Sequence, residues 1–487
     1  MRRSGILLPI FSLPSPYGIG CFSNEAKIFI DKLSGSGQSL WQILPLGPTA
    51  FGDSPYQSPS AFAGNHYFID LDTLKQKNLL TEGECEEYKS RVPKENRVNY
   101  GFLYETRHHI LKKAFERFKP TPDYYRFIGE ESYWLKSYAE FSAVKDYLGG
   151  ASLMDWSEPY KKREMDALSP LLSSLAREIE YYKFLQYEFM CQWLDIKDYA
   201  NRRGIQIIGD IPIYTALDSA DIWAEPKLFK LDDTLRPTHV AGCPPDSFSP
   251  LGQLWGNPLY DWEYHKENNF LWWTERIKRS MRLYDIVRID HFRGFESFYA
   301  VPYTDATAEN GKWEKGPGTE LFNVLNENCP NLNIIAEDLG FITPKVRELL
   351  KKTGYPGMKV MQFAFDSRSD SDYLPHNYEK NCVVYTGTHD NSTTSSWSKT
   401  ISKEDLEFAK AYMGTDDICH GMIRLSMGSV ADTCIIPMQD YLGLDDSARI
   451  NTPSSLGGNW CWRMGDFTEE TEKKIYNITE TYRRLKA

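Results

Sequence analysis

The sequence predicts an α/β protein, a (β/α)8 TIM barrel with helical and loop insertions. Short apolar runs of buried-strand character recur along the 487 residues, each bounded by turn residues and most separated by helix-like stretches. Eight parallel strands in that alternation are the arithmetic of the barrel, which also absorbs long insertions. Acidic residues end several of the runs, and the strand ends are where such a barrel gathers its active site.

In chain order the strands are expected at residues 39–45, 206–211, 285–290, 333–338, 358–365, 382–386 and 433–438, with a weaker one at 67–71. The opening apolar run is short and interrupted by prolines at 9, 14 and 16, so it does not read as a signal peptide. Helical periodicity dominates 103–118 and 179–200. These patterns divide the chain into a segment 1–71 with the first barrel strands, a mainly helical insertion and return helix at 72–203, and the rest of the barrel at 204–487. A second excursion at about 216–283 carries a loop rich in Pro, Gly and Trp at 243–258, the composition of a lid or binding segment.

Composition excludes several classes of function. There are 56 Lys and Arg against 67 Asp and Glu, a net charge of −11, the wrong sign for a nucleic-acid or anionic-membrane partner. No apolar stretch approaches the roughly 20 residues of a bilayer span. The nine cysteines form no CxxC and read as reduced thiols of a cytoplasmic protein. The nine histidines form neither HxH nor HExxH, and no phosphate-binding glycine motif occurs, so neither a metal nor a nucleotide cofactor is expected.

Three carboxylates stand at strand ends: Asp290 after the fourth strand, Glu337 after the fifth and Asp390 after the seventh. A retaining glycosidase needs two carboxyls about 5–5.5 Å apart, one to attack the anomeric carbon and one to protonate the departing oxygen. Arg288 shares a strand face with Asp290 and favours its ionised form, which makes Asp290 the better nucleophile. Glu337 is then the acid/base, kept protonated by neighbouring negative charge. Asp390 stabilises oxocarbenium-like charge, and His291 and His389 bind sugar hydroxyls. Each of these residues read alone is more simply a helix cap or a satisfied loop residue; the joint pattern carries the reading. Aromatic residues make up 14% of the chain, and Tyr17, Tyr56, Phe62, Trp223, Phe248, Trp255, Trp397, Trp460 and Trp462 fall in loops, where flat rings suit pyranose faces or pack insertions against the barrel.

Over most of its length the chain resembles the amylomaltases, or 4-α-glucanotransferases, relatives of the α-amylase clan. The resemblance is carried by Ser54-Pro55-Tyr56-Gln57-Ser58, Gly209-Asp210-Ile211-Pro212-Ile213-Tyr214, Leu254-Trp255-Gly256-Asn257-Pro258, Arg288-Ile289-Asp290-His291, Ala336-Glu337-Asp338, Gly387-Thr388-His389-Asp390-Asn391 and Asn451-Thr452-Pro453, in the family's order. It implies Asp290 as nucleophile, Glu337 as acid/base and Asp390 as the transition-state-stabilising carboxylate. By the same resemblance Tyr56, Asp210, Trp255, Arg288, His291, Asp366, His389 and Asn459 match sugar-contacting positions, 243–258 is a flap over bound glucan, and no metal or organic cofactor is needed. The chain departs from the family at His66, where proline is common, and at Ser247, where tyrosine is common; Phe248 is placed to take over that role.

The expected activity is transfer of α-1,4-glucan segments between maltooligosaccharides by double displacement through a covalent glucosyl-enzyme. An α-1,4-glucan hydrolase with the same carboxylates is the alternative, and a non-catalytic glucan-binding protein stands further off.

Overall fold

The computed structural model describes residues 2–50, 52–245, 249–340, 342–368 and 370–485. Twelve strands are present among them: β1 (Arg3–Leu7), β2 (Leu40–Gln42), β3 (Gln206–Ile211), β4 (His239–Cys243), β5 (Gln253–Pro258), β6 (Ile286–Ile289), β7 (Ser297–Pro302), β8 (Lys312–Lys315), β9 (Ile334–Ala336), β10 (Gly357–Val360), β11 (Cys382–Tyr385) and β12 (Thr433–Pro437). Eight of them pair in parallel in the order β10-β11-β12-β1-β2-β3-β6-β9. The ring is drawn closed between β9 and β10, where the Ala336 N–H donates to the Pro356 carbonyl at 3.0 Å and the Met358 N–H to Asp338 Oδ1 at 2.6 Å. This is the predicted (β/α)8 barrel.

Strand alternation builds its interior. Leu7, Leu40, Ile208, Ile286, Ile335, Met358, Val383 and Ile435 form one buried apolar cluster. Two residues further along the same strand faces stand Gln42, Asp210, Arg288, Glu337 and Tyr385, so a polar layer lies directly over an apolar one. Gly5 lets β1 and β2 approach, since a Cβ there would collide with the backbone and side chain of Leu40.

One expected strand is elsewhere. Residues 67–71 form no strand: a 3-10 turn at His66–Phe68 and a helix at Leu71–Gln76 flank only two extended residues, Ile69 and Asp70. Asn65 accepts from the Tyr67 N–H at 2.9 Å and Asp70 from the Thr73 N–H at 2.8 Å, and these side-chain caps favour helical turns over a ladder. The missing strand is β1, from the short N-terminal run, which pairs with both β12 and β2.

Between Leu71 and Arg202 the regular elements among the described residues are helices joined by turns and loops, including Tyr100–Arg117 and the 27-residue helix Ala176–Arg202. The Pro- and Gly-rich excursion holds β4 and β5, which join β7 and β8 in an antiparallel sheet of order β5-β4-β7-β8. Its sequence hides the strands because Gly242, Gly256 and Pro258 interrupt the alternation and β4 carries a bulge. Among the described residues no helix is long and apolar enough to cross a membrane.

Candidate active site

A cleft of about 790 Å³ opens over the polar layer, within the usual range for a ligand site of roughly 300–1,000 Å³. Asp290, His291, His389 and Asp390 line it, with Tyr56, Trp255, Asn459 and Trp460 on its walls.

Asp290 follows β6 directly. Its N–H donates to the Ile211 carbonyl at 3.0 Å, and its Oδ1 receives Arg288 Nη2 at 3.0 Å. Arg288 lies 3% exposed in the barrel and sends Nη1 to Asp210 Oδ2 at 2.6 Å. Asp210 is fully buried and also accepts the Tyr56 hydroxyl at 2.8 Å. Arg288 and Asp210 therefore sit beneath the cleft floor and hold Asp290 and Tyr56 from below.

At His291 the backbone turns left-handed, with φ of 53°, a conformation that costs a non-glycine residue about 1 kcal/mol or more. The turn places the His291 N–H on Glu337 Oε2 at 2.7 Å, while the Leu339 N–H reaches Oε1 at 2.7 Å. Glu337 thus leans on the backbone of the residue that follows Asp290. Burial raises the Glu337 carboxyl to about 8; the Asp290 charge adds to this, against the pull of Arg288 and the two N–H groups. Burial also lifts Asp290, to about 6, with Arg288 opposing and Asp210 and Asp390 adding. Arg288 does favour the ionised form of Asp290, as the sequence suggests. Burial outweighs this pull.

Asp390 lies on the loop after β11, and its Oδ1 receives Asn451 Nδ2 at 2.7 Å and lies 3.3 Å from His389 Nε2. The His389 ring stacks on Tyr56, centroids 5.2 Å apart and planes at 15°, and Trp460 approaches both. His291 meets the edge of Trp255 at 4.8 Å, and burial pushes its imidazole down to about 3, so the ring is neutral.

Other expected contacts fall differently. Asn459 lines the cleft but turns its amide onto its own loop, accepting the Thr452 N–H at 3.0 Å and donating to the Ser455 carbonyl at 3.1 Å. Asp366 is gripped by Arg368 through two bonds of 2.8 and 3.0 Å and is not among the residues lining the cleft. Phe248 and Ser247 lie outside the described residues. Of the loop aromatics, Tyr17, Phe62, Trp223, Trp397 and Trp462 are packed in cores; Tyr56, Trp255 and Trp460 reach the cleft. Tyr214, Gln57 and Asn257 also line it without having been singled out, although all three stand inside the quoted motifs. Gln57 and Asn257 exchange amide bonds of 3.1 and 3.2 Å, tying the Tyr56 loop to β5. Among the described residues no group of three or more His, Cys, Asp or Glu is arranged to hold a metal ion.

Residues 8–468 match the profile of a family described as 4-alpha-glucanotransferase. The chain belongs to that family. A 4-alpha-glucanotransferase of Clostridium butyricum is 51% identical over 484 residues, 98% of this chain and 99% of the relative. One from Thermus thermophilus is 42% identical over 502 residues, 99% of each. An amylomaltase from Streptococcus agalactiae, solved in complex with acarbose, superposes with a TM-score of 0.97 at 41% identity and covers the whole of both chains. Family membership thus rests on the full length of the barrel and its insertions together.

Proposed function

We propose that this protein transfers α-1,4-glucan segments between maltooligosaccharides, with Asp290 as nucleophile, Glu337 as acid/base and Asp390 as the group that steadies positive charge on the sugar. Asp290 Oδ attacks C1 of the donor glucose as the C1–O4 bond breaks, and Glu337 gives its proton to the departing O4. The covalent ester then waits for an acceptor. Glu337 takes the proton of an incoming 4-hydroxyl, that oxygen attacks C1, and the bond to Asp290 breaks. Two inversions leave the α configuration.

The observation that carries this reading is the placement of the two carboxylates: Arg288 Nη2 lies 3.0 Å from Asp290 Oδ1 and favours its ionised form, while Glu337 Oε2 accepts at 2.7 Å the N–H of His291, next in the chain to Asp290, and burial with the Asp290 charge raises its carboxyl. The names of the full-length relatives support transfer over hydrolysis. Tyr56 and Trp255 supply flat apolar surface along the cleft, and the neutral His291 and the His389 ring offer polar nitrogens to hydroxyls. The proposed compartment is the cytoplasm, in keeping with nine cysteines that form no CxxC pair.

Incubation with maltotriose tests the activity. A ladder of longer glucans plus glucose, with no net gain of reducing ends, is the expected result; short products with a matching gain would make the protein a hydrolase. Asp290→Asn is expected to abolish turnover and still bind maltooligosaccharides. Wild type and variant that both bind without any turnover would leave only a glucan-binding protein.

A further inference from the structure

We infer that Arg449 is a positioning residue that locks the Asp390 loop to the loop of residues 451–460, and that this lock helps decide whether a sugar or water resolves the glucosyl-enzyme. The inference rests on the transfer reading above. One guanidinium makes the lock: Nη2 donates to the Asp390 carbonyl at 2.6 Å, Nε to the Asn451 carbonyl at 2.8 Å and Nη1 to Ser392 Oγ at 3.0 Å. Two of these acceptors are main-chain oxygens, so they fix the course of both loops and not merely a side chain. Asn451 returns the tie, its N–H reaching the His389 carbonyl at 3.1 Å and its Nδ2 reaching Asp390 Oδ1 at 2.7 Å.

The two loops have different duties. On one side of the lock stand Asp390 and His389, which packs on Tyr56 over the buried Asp210–Arg288 pair. On the other, Thr452, Asn459 and Trp460 form a wall of the cleft, anchored by the Trp460 N–H on the Ile450 carbonyl at 2.7 Å. Arg449 itself is absent from the cleft lining, and its side chain is only 21% exposed. It acts through the residues it holds. A planar fork with fixed donor directions suits three separated acceptors, whereas an ammonium group does not reproduce that geometry.

An acceptor saccharide needs a preformed wall to align its 4-hydroxyl, and water does not. Loosening the 451–460 loop raises the ordering cost for a sugar alone, so the intermediate loses more to water. Arg449→Lys and Arg449→Met are therefore compared with wild type on maltotriose, counting ladder products against new reducing ends, with thermal melting of each protein alongside. The expected result is a transfer kcat lowered by roughly 10- to 100-fold, a raised KM for added acceptor, and a hydrolysed fraction increased severalfold, with the Arg449→Lys melting temperature near wild type. Should Arg449→Met fail to fold, the Arg449→Lys values decide alone. Wild-type kinetics in Arg449→Lys, or a fall in kcat with an unchanged hydrolysed fraction, would overturn the inference. A wild type that makes no ladder would instead overturn the transfer reading.

Discussion

Arg288 is shared unequally between two aspartates: Nη1 lies 2.6 Å from Asp210 Oδ2, and Nη2 lies 3.0 Å from Asp290 Oδ1. The fully buried Asp210 takes the shorter bond, and the part-exposed Asp290, facing the cleft, takes the longer one. A buried cation with a second anion beneath it is held in place without fully neutralising the cleft-facing carboxylate above.

Asp210→Asn should separate these two effects. Its charge is one of the causes that raise Asp290, so removing it moves the acid limb of the pH–activity profile below about 6. The same change weakens the hold on Arg288 and on the Tyr56 hydroxyl, and kcat is expected to fall by about tenfold or more, the scale of a misplaced catalytic group. An acid limb that stays or moves upward contradicts this account.

In wild type, kcat/KM plotted against pH should be bell-shaped, with limbs near about 6 and about 8. Below the first, Asp290 takes up a proton and loses its nucleophilic oxygen; above the second, Glu337 has none to give. Glu337→Gln, assayed with a glucosyl fluoride donor whose leaving group needs no proton, should still form the glucosyl-enzyme while the alkaline limb disappears. A limb that persists in that variant would assign it to another group.

Stability has a separate test point. Glu131 of the helical insertion receives Arg279 at 2.9 Å and Arg282 at 2.6 Å on Oε1, and Trp134 Nε1 at 2.6 Å on Oε2, with Glu131 and Arg279 side chains both 5% exposed. Glu131→Gln leaves a buried guanidinium short of its counter-charge and is expected to destabilise the fold by about 3–5 kcal/mol. Urea unfolding at constant slope measures this, and a loss below about 1 kcal/mol would place the pair among screened surface contacts.

Seven of the eight barrel strands were legible because buried parallel strands write themselves as apolar runs. The eighth, β1, is five residues of which only the last four are buried, and its role appears only when β12 and β2 close on it. Residues 67–71 misled for the converse reason: Asn65 just before the run and Asp70 within it cap a 3-10 turn and a helix, leaving too short an extended piece to pair in a ladder. Arg449 carried no signal of its own, since a lone arginine two residues before a quoted motif is indistinguishable from a surface cation.

The sequence by itself determined the carboxylates and their supporting arginine, because period-two alternation forces Ile208 and Asp210, Ile286 and Arg288, and Ile335 and Glu337 onto one barrel face wherever those strands end up. Tertiary structure decided what those groups are. Partial burial raises both carboxyls, and loops distant in the chain, brought together by Arg449 and Asn451, hold Asp390 against the 451–460 loop. Desolvation and long-range hydrogen bonds depend on which surfaces meet, and no local pattern encodes that.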